Sequence, residues 1–252
     1  MSRVWVLARL TCVELIRNRF VVVLGFVAAL LLILSSFLGT LSLDEQTRLL
    51  VHLGFASFQL TLVGLALFLG SWMLQTEIER QTCLLVLSRP VSRWEFLLGK
   101  WAGALALIAF FWVVCGLLHL TLLGFQFPVG RYLQAHITLL LESMTVLSLA
   151  VFFASFLRPL LALAASFAFL LAGHWREDLR FFAKRSRSVF FEQAADVSAW
   201  IFPPFDRLEI RSVHYLSGSE AVFPAWSVTH LLFWSTLLLF LAGLVWRKRD
   251  LV

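Results

Sequence analysis

Six long apolar runs dominate the sequence and constrain its fold more than any motif does. They lie near residues 20–41, 51–75, 99–127, 134–157, 159–175 and 224–246. A helix needs roughly 20 apolar residues to cross a hydrocarbon core about 30 Å thick, and backbone inside lipid must satisfy its own hydrogen bonds. The runs therefore predict an all-α, polytopic membrane protein with six transmembrane helices, of which the fifth, beginning at Pro159, is the shortest.

Composition supports a membrane location. Of the 252 residues, 60% are hydrophobic and 14% are charged, whereas a soluble domain carries roughly 45–50% apolar and about 25% charged residues. The net charge of +6 comes largely from basic residues at the edges of the apolar runs, so we expect a lipid bilayer and no nucleic acid as the partner. The three cysteines are scattered and predict neither a disulfide framework nor a metal site.

The distribution of Lys and Arg predicts that both termini lie in the cytoplasm. With the N-terminus inside, twelve basic residues flank the inner ends of the runs, and only Arg48 and Arg131 fall in short outer loops. Cytoplasmic loops carry the excess of basic residues. The other seven of the 21 lie in the long segment 176–223, which we expect outside, because long segments translocate largely regardless of charge.

Residues 1–18 predict an amphipathic helix at the cytoplasmic interface. The stretch RVWVLARLTCVELIRNRF mixes Trp, Leu and Val with Thr11, Glu14 and Asn18, which are spaced as one face of a helix. Such a helix lies in the interface and turns into the bilayer near Arg19. The alternative is that the stretch is only a positively charged flank.

The stretch EIERQTCLLVLSRPVSRWEFLLGK differs from the rest of the chain because it is charged and broken by proline. Glu77 and Glu79 are costly in hydrocarbon, so we expect the second membrane helix to end near Gln75. A short apolar segment follows and stops at Pro90.

The third membrane helix has a defined start within the same stretch. Ser92 and Glu95 have the spacing of a capping box, and Val91 and Phe96 have the spacing of a hydrophobic staple. A mobile loop would need neither. Residues 76–98 therefore predict a rigid helix, turn, helix corner on the cytoplasmic side.

This corner resembles that of permease subunits of ABC-2 type transporters, which share two acidic residues, a threonine, leucines, Ser-Arg-Pro-Val-Ser-Arg and Leu-Gly-Lys. The group that includes the nitrous-oxide-reductase maturation permease and the gliding-motility permease is the most similar. In that family the corner is a coupling helix that docks into a separate ATP-binding subunit. The resemblance assigns this role to Glu77, Glu79, Arg80, Thr82, Ser88, Arg89, Pro90, Ser92, Arg93, Glu95 and Lys100.

Simpler interpretations stay open for these residues. The basic ones fit the ordinary role of cations beside membrane helices, that of inside anchors. Glu77 and Glu79 fit solvated loop charges, or ion pairs with Arg80 or Arg93. The family often has glycine where this chain has Gln81, a departure that stiffens the turn.

The chain contains no motif for catalysis or nucleotide binding. LLGKW at residues 97–101 lacks the glycine-rich loop and the Lys-Ser/Thr pair that hold phosphates and magnesium, and neither HExxH nor GxSxG occurs. We therefore expect no enzyme activity and no cofactor in this chain, with ATP and Mg²⁺ bound by a partner subunit. The single histidines are expected to be interface anchors or packed polar groups.

Glu142 is an ionisable residue inside the fourth run, about two turns from its expected outer end. Such a residue is costly in lipid unless it faces the bundle interior or water. One interpretation is a substrate or gating contact in the translocation path, with Gln59 and Ser57 as weaker candidates. The other is a packing residue bonded to a neighbouring hydroxyl or to Arg131.

The outer segment 176–223 divides into two parts. Charges spaced three and four residues apart predict a helix over 176–200, whereas Pro203, Pro204 and Gly218 predict an irregular second part with a short amphipathic piece. Its paired phenylalanines fit the bilayer surface or a cap on the bundle. The resemblance implies a lid, and the length of the segment fits an extracytoplasmic partner.

The resemblance as a whole implies the membrane-spanning subunit of an ABC transporter in the bacterial cytoplasmic membrane. It would work as a homodimer or heterodimer with two ATP-binding subunits and export a substrate that the sequence does not identify. The alternative is an ATP-driven assembly or force-transmission complex that acts on an outer partner without transport. A channel or secondary carrier is disfavoured, because no repeat between the two halves is evident.

Overall fold

The computed structural model describes residues 3–41, 46–79, 91–124, 126–186, 188–205, 213–217 and 225–248. Within these ranges the chain forms ten α-helices and no β-strand, so the predicted all-α fold is confirmed. The helices are α1 (Arg3–Ile16), α2 (Arg19–Leu41), α3 (Gln46–Glu79), α4 (Arg93–Leu122), α5 (Val129–Ala154), α6 (Pro159–His174), α7 (Arg176–Ser186), α8 (Val189–Ile201), α9 (Val213–Ser217) and α10 (Ala225–Lys248).

Five of the described helices, α2, α3, α4, α5 and α10, are long and apolar enough to cross a membrane. A sixth crossing needs α6 and α7 together, and this pair is bent by 53°. Alone, the 16 residues of α6 span about 24 Å, less than a hydrocarbon core of about 30 Å. The chain is therefore a multi-pass membrane protein, and the run expected to be the shortest is the broken one.

Helices α3 and α5 form the centre of the bundle, because 67% of the apolar window of each is buried, against 22–33% for the other three candidate spans among the described residues. Buried residues follow α3 along its length, from Val51 through Leu62 to Leu74. Gly70 allows the two helices to approach closely, since a Cβ atom there would lie 2.5 Å from the Cβ of Ala150. Helices α2 and α4 pack on α3, and α10 packs on α5.

Helix α1 lies against the beginning of α4. Gly103 permits this contact, since a Cβ atom there would lie 2.6 Å from the carbonyl oxygen of Ala8. Thr11 is buried on this side, whereas Trp5 and Val13 are exposed on the other. An exposed apolar face agrees with a helix at the membrane interface, a position that stays a prediction.

Segment 176–223 begins with two helices rather than with the single helix predicted for 176–200. Helices α7 and α8 pack against each other, and the rings of Phe182 and Phe191 meet edge to face with centroids 5.1 Å apart. Ser188 has an extended backbone (φ −99°, ψ 123°) and interrupts the helix. The break buries Ala183 between the two helices, a tertiary gain that charge spacing along one helix cannot indicate.

The second part of the segment contacts the end of the bundle opposite α1, here called the far end. Helix α9 packs there on α3 and α5. Arg131 of α5 donates to the carbonyl oxygen of Tyr215 at 2.9 Å, and the Tyr215 hydroxyl donates to Gln134 Oε1 at 2.6 Å. These bonds hold the five-residue helix α9 against the far end of the bundle.

Candidate functional site

Three polar side chains from three helices meet inside the bundle, namely Gln59 of α3, Glu142 of α5 and His174 at the end of α6. Gln59 Nε2 donates to Glu142 Oε1 at 2.8 Å and lies 3.2 Å from His174 Nε2. The same imidazole nitrogen lies 3.4 Å from Glu142 Oε1. Glu142 has an exposed fraction of 0%. We call these three residues the mid-bundle site.

His174 is oriented by its own helix and by the outer segment. Its Nδ1 lies 3.1 Å from the carbonyl oxygen of Leu170, and because a carbonyl only accepts, Nδ1 is the donor and carries a proton. The ring stacks on Phe205 with centroids 5.5 Å apart. Gly173 leaves room for this phenyl ring, since a Cβ atom there would lie 2.6 Å from Phe205 Cδ2. Nε2 is thereby directed at the other two residues.

The site lies deeper in the bundle than the sequence predicted. Helix α5 begins at Val129 rather than near residue 134, so Glu142 lies halfway along a 26-residue helix, about 20 Å from its start. Arg131, the partner considered from the sequence, bonds instead to Tyr215. The partners found for Glu142 are Gln59 and His174.

Sequence reasoning named Glu142, and more weakly Gln59, as candidates for a translocation path but missed His174. The available signal was the length of the fifth run. The 16 residues of this helix measure about 24 Å, less than a hydrocarbon core of about 30 Å, so a residue at its end is expected within the apolar layer. An ionisable residue at that depth is by default a functional candidate.

A groove of about 340 Å³ opens beside the mid-bundle site. Leu60 and Phe167 are 62% and 50% exposed, so the groove opens on the side of the chain rather than at either end. Its polar lining consists of the three residues of the site. The apolar lining comes from α3 and α6 and comprises Ala56, Leu60, Val63, Gly64, Leu67, Phe167, Leu170 and Leu171.

A second polar cluster lies at the end of the bundle that carries α1. Lys100 of α4, only 7% exposed, forms an ion pair with Glu77 of α3, which is 9% exposed. Lys100 Nζ also lies 3.2 Å from Glu14 Oε2 of α1. Because Lys100 compensates the buried charge, α3 continues through Glu77 to Glu79 instead of ending near Gln75. We call Glu14, Glu77 and Lys100 the ion cluster.

The start of α4 has the predicted capping box. Ser92 Oγ accepts from Glu95 N at 3.1 Å, and Ser92 N donates to the Glu95 carboxylate at 2.7 Å. Arg93 extends across the bundle and donates to the carbonyl oxygens of Trp246 and Arg247 at 3.2 and 3.0 Å. These carbonyls belong to the last turn of α10, so Arg93 caps that helix, a role that the sequence did not indicate.

Gln75 makes a similar bridge from α3. Its Nε2 donates to the carbonyl oxygens of Ala154 and Leu157 at 3.1 and 2.7 Å, where α5 ends. Both helices that flank the predicted corner are therefore bonded to the ends of neighbouring helices.

The central part of the predicted corner lies outside the described residues. Glu79, the last residue of α3, is exposed. The coupling role stays a prediction for the residues that lie there, namely Arg80, Thr82, Ser88, Arg89 and Pro90.

Two further histidines are packed polar groups, as expected. His119 Nε2 lies 3.2 Å from the carbonyl oxygen of Leu50, and its ring is 5.9 Å from that of His136. Gly54 makes room for it, since a Cβ atom there would lie 2.2 Å from His119 Nε2. Within the described ranges no group of three or more His, Cys, Asp or Glu is placed to hold a metal ion.

The fold and the two clusters define a multi-pass α-helical membrane protein with a polar site halfway through its bundle. Residues 5–251 match the family described as ABC-2 family transporter protein. Because the match covers nearly the whole chain, the chain belongs to this family, which is the membrane component of ABC transporters and implies partnership with an ABC ATP-binding subunit. A comparison with curated proteins found no match.

Proposed function

We propose that this chain is a permease subunit that couples ATP hydrolysis by a separate subunit to the export of a substrate. The observation that carries the proposal is the mid-bundle site beside its groove. Polar and ionisable groups at mid-membrane are costly, and they mark substrate or ion pathways. Family membership supports an ABC ATP-binding subunit as the energy source.

The proposed mechanism is a population shift. ATP and Mg²⁺ bind the partner subunit, closure of the ATPase dimer moves the corner 76–98, and the membrane helices change access to the site. Helices α3 and α4 flank this corner, and the ion cluster, Gln75 and Arg93 join them to α1, α5 and α10. A displacement of the corner would therefore be transmitted to the bundle as a whole.

The coupling residues then divide into two groups. Residues of the corner itself, such as Arg89 and Pro90, would contact the ATPase directly. Glu77 and Lys100 are buried and would act through the packing of three helices. Glu95, whose carboxylate completes the capping box, would keep the start of α4 rigid.

The proposed assembly contains two permease subunits, identical or different, and two ATPase subunits in the bacterial cytoplasmic membrane. Both termini and the corner would lie in the cytoplasm, as the twelve basic residues on that side suggest. Segment 176–223 would form an outer lid and the docking surface for an extracytoplasmic partner. The Ser-Arg-Pro-Val-Ser-Arg sequence at 88–93 supports the nitrous-oxide-reductase maturation and gliding-motility group.

Transport is proposed in preference to force transmission alone. A complex that only transmits force needs rigid helices but no polar groups halfway through the membrane. The mid-bundle site is costly to bury and has a groove beside it. Both features fit a substrate path.

Co-purification tests this proposal. The chain would be purified in mild detergent from its native membrane, and bound proteins would be identified by mass spectrometry for wild type, Arg89→Glu and the control Arg185→Glu. The control places the same charge reversal on α7. We expect a stoichiometric ABC ATP-binding subunit with wild type and control, and its loss with Arg89→Glu.

A single charge reversal at residue 89 is preferable to a change at Glu95, because loss of the capping box would disturb the start of α4 as well. Wild-type protein that retains its membrane complexes and yet carries no ATPase would contradict the proposal and favour a channel or carrier.

A further inference from the structure

We propose that the groove and the mid-bundle site bind an amphipathic monocation, that is, a small apolar molecule carrying a protonated amine. This inference rests on the proposed transport function and adds the class of substrate. It is argued from the shape of the groove, the polarity of its walls and the hydrogen-bond roles of three side chains.

The groove has the size and polarity of a small-molecule site. Its volume of about 340 Å³ lies near the lower end of the range for ligand pockets, roughly 300–1,000 Å³. Its walls are aliphatic and aromatic, with Leu60 and Phe167 at the rim. The polar groups are confined to one place, which matches a ligand with one polar end and one apolar end.

The hydrogen bonds identify the polar end of the ligand. The Gln59 amide nitrogen faces both Glu142 Oε1 and His174 Nε2, and its two N–H groups suit two acceptors. His174 already donates through Nδ1 to Leu170. In this arrangement Nε2 of His174 is an acceptor, and Glu142 and His174 both present acceptors beside the groove. The site is therefore rich in acceptors, and a bound cation would favour the ionised form of Glu142.

An ammonium group complements such a site. It is a cation with only donors, whereas a ligand carboxylate would be repelled by Glu142 in a medium where charges interact strongly. None of the described residues that line the groove is a lysine or arginine. Gln59 directs its nitrogen at Glu142, and all three residues of the site line the groove that an amine would enter.

The lateral opening indicates how such a molecule enters. Ala56 and Leu60 are exposed on α3, in the first half of a helix that is long enough to span the membrane. An amphipathic amine dissolved in the bilayer would reach the site sideways, with its chain along the apolar walls. The other candidate occupants are a lipid chain and a side chain of a second copy.

Matched photoreactive probes test the proposal. Three diazirine-labelled octyl compounds that differ only in the head group, an amine, an alcohol and a carboxylate, would be added to the complex in nanodiscs. Labelled peptides would then be identified by mass spectrometry. We expect saturable labelling of groove residues of α3 and α6 by the amine, and much weaker labelling by the other two.

Two variants locate the effect. Glu142→Gln keeps the shape but removes the charge, and we expect the affinity for the amine to fall about thirtyfold or more. Glu192→Gln, the same change at an exposed position of α8, should leave it unchanged. Ala56→Phe fills the groove from an exposed position without disturbing the core, so it tests the site even where Glu142→Gln folds poorly.

The outcomes separate this inference from the proposed function. Equal labelling by amine and alcohol would mean an apolar groove filled by lipid or by a second copy, and it would overturn the inference. Absence of saturable amine labelling in a complex that contains an ATPase and hydrolyses ATP would overturn it as well and leave the transporter assignment intact. Amine labelling that depends on Glu142 in a preparation without ATPase would support the site and contradict the permease proposal.

Discussion

The mid-bundle site and the ion cluster both bury a carboxyl group in a membrane helix, but the partners that stabilise it differ. Glu77 is paired with Lys100, a full opposite charge from a neighbouring helix. Glu142 is paired with Gln59, a neutral donor, and with His174, which is charged only when it is protonated. The first arrangement pairs two full opposite charges, and the second pairs a carboxyl group with an amide and an imidazole.

The two carboxylates also differ in the size of the cavity beside them. The cavity beside the ion cluster measures about 60 Å³, room for little more than water, whereas the groove beside the mid-bundle site measures about 340 Å³. A buried charge that is cancelled and enclosed holds helices together. A buried carboxyl group beside an open groove is suited to a ligand. The comparison therefore predicts that the ion cluster holds three helices together, whereas the mid-bundle site binds a ligand.

Replacing Lys100 gives the largest expected effect on stability. Lys100→Met removes the cation that lies between two carboxylates, so buried Glu77 loses this ion pair. We expect a loss of about 3–5 kcal/mol in the free energy of unfolding, the usual result of removing one partner of a buried pair. Reversible unfolding in mixed micelles, followed by tryptophan fluorescence, measures it.

The matched controls for this variant are Lys184→Met on the exposed surface of α7 and the double variant Lys100→Met/Glu77→Gln. The first should change stability little, and the second should recover most of the loss, because the stranded charge is gone. A double variant as unstable as Lys100→Met would show that packing of the lysine stem, and not charge, holds α1, α3 and α4 together.

Replacing the other carboxylate should affect stability less and ligand binding more. Glu142→Leu strands no opposite full charge, and Gln59 keeps His174 as a partner, so we expect a loss of about 1–2 kcal/mol. The same unfolding measurement and amine labelling in nanodiscs would be compared. A loss as large as that of Lys100→Met would mean that the mid-bundle site is a structural cluster like the other.

The fold was largely predictable from the sequence, because membrane helices must be long, apolar and internally hydrogen-bonded. The runs, the short fifth helix that begins at Pro159 and the capping box at Ser92 all follow from local rules. The break between α7 and α8 did not follow, because it is stabilised by contacts between two helices.

The candidate site was predictable only in part, for a related reason. A single polar residue in an apolar run, such as Glu142 or Gln59, stands out in the sequence. Its partners depend on which helix faces point at each other, which spacing along one helix does not reveal. His174 and the pairing of Glu77 with Lys100 both join residues from different helices, and both were missed.

Replacing Glu14 should have the smallest effect on stability. It tests which of the two carboxylates in the ion cluster is the main partner of Lys100. The Glu14 side chain is 56% exposed, against 11% for Glu77, so water already solvates it and its pair with Lys100 is weak. We expect Glu14→Gln to cost less than about 1 kcal/mol, and added salt to reduce that cost further. Unfolding at low and high salt measures both quantities. A loss close to that of Lys100→Met would make Glu14 the principal partner of Lys100, and the link from α4 to α1 would then outweigh the link from α4 to α3.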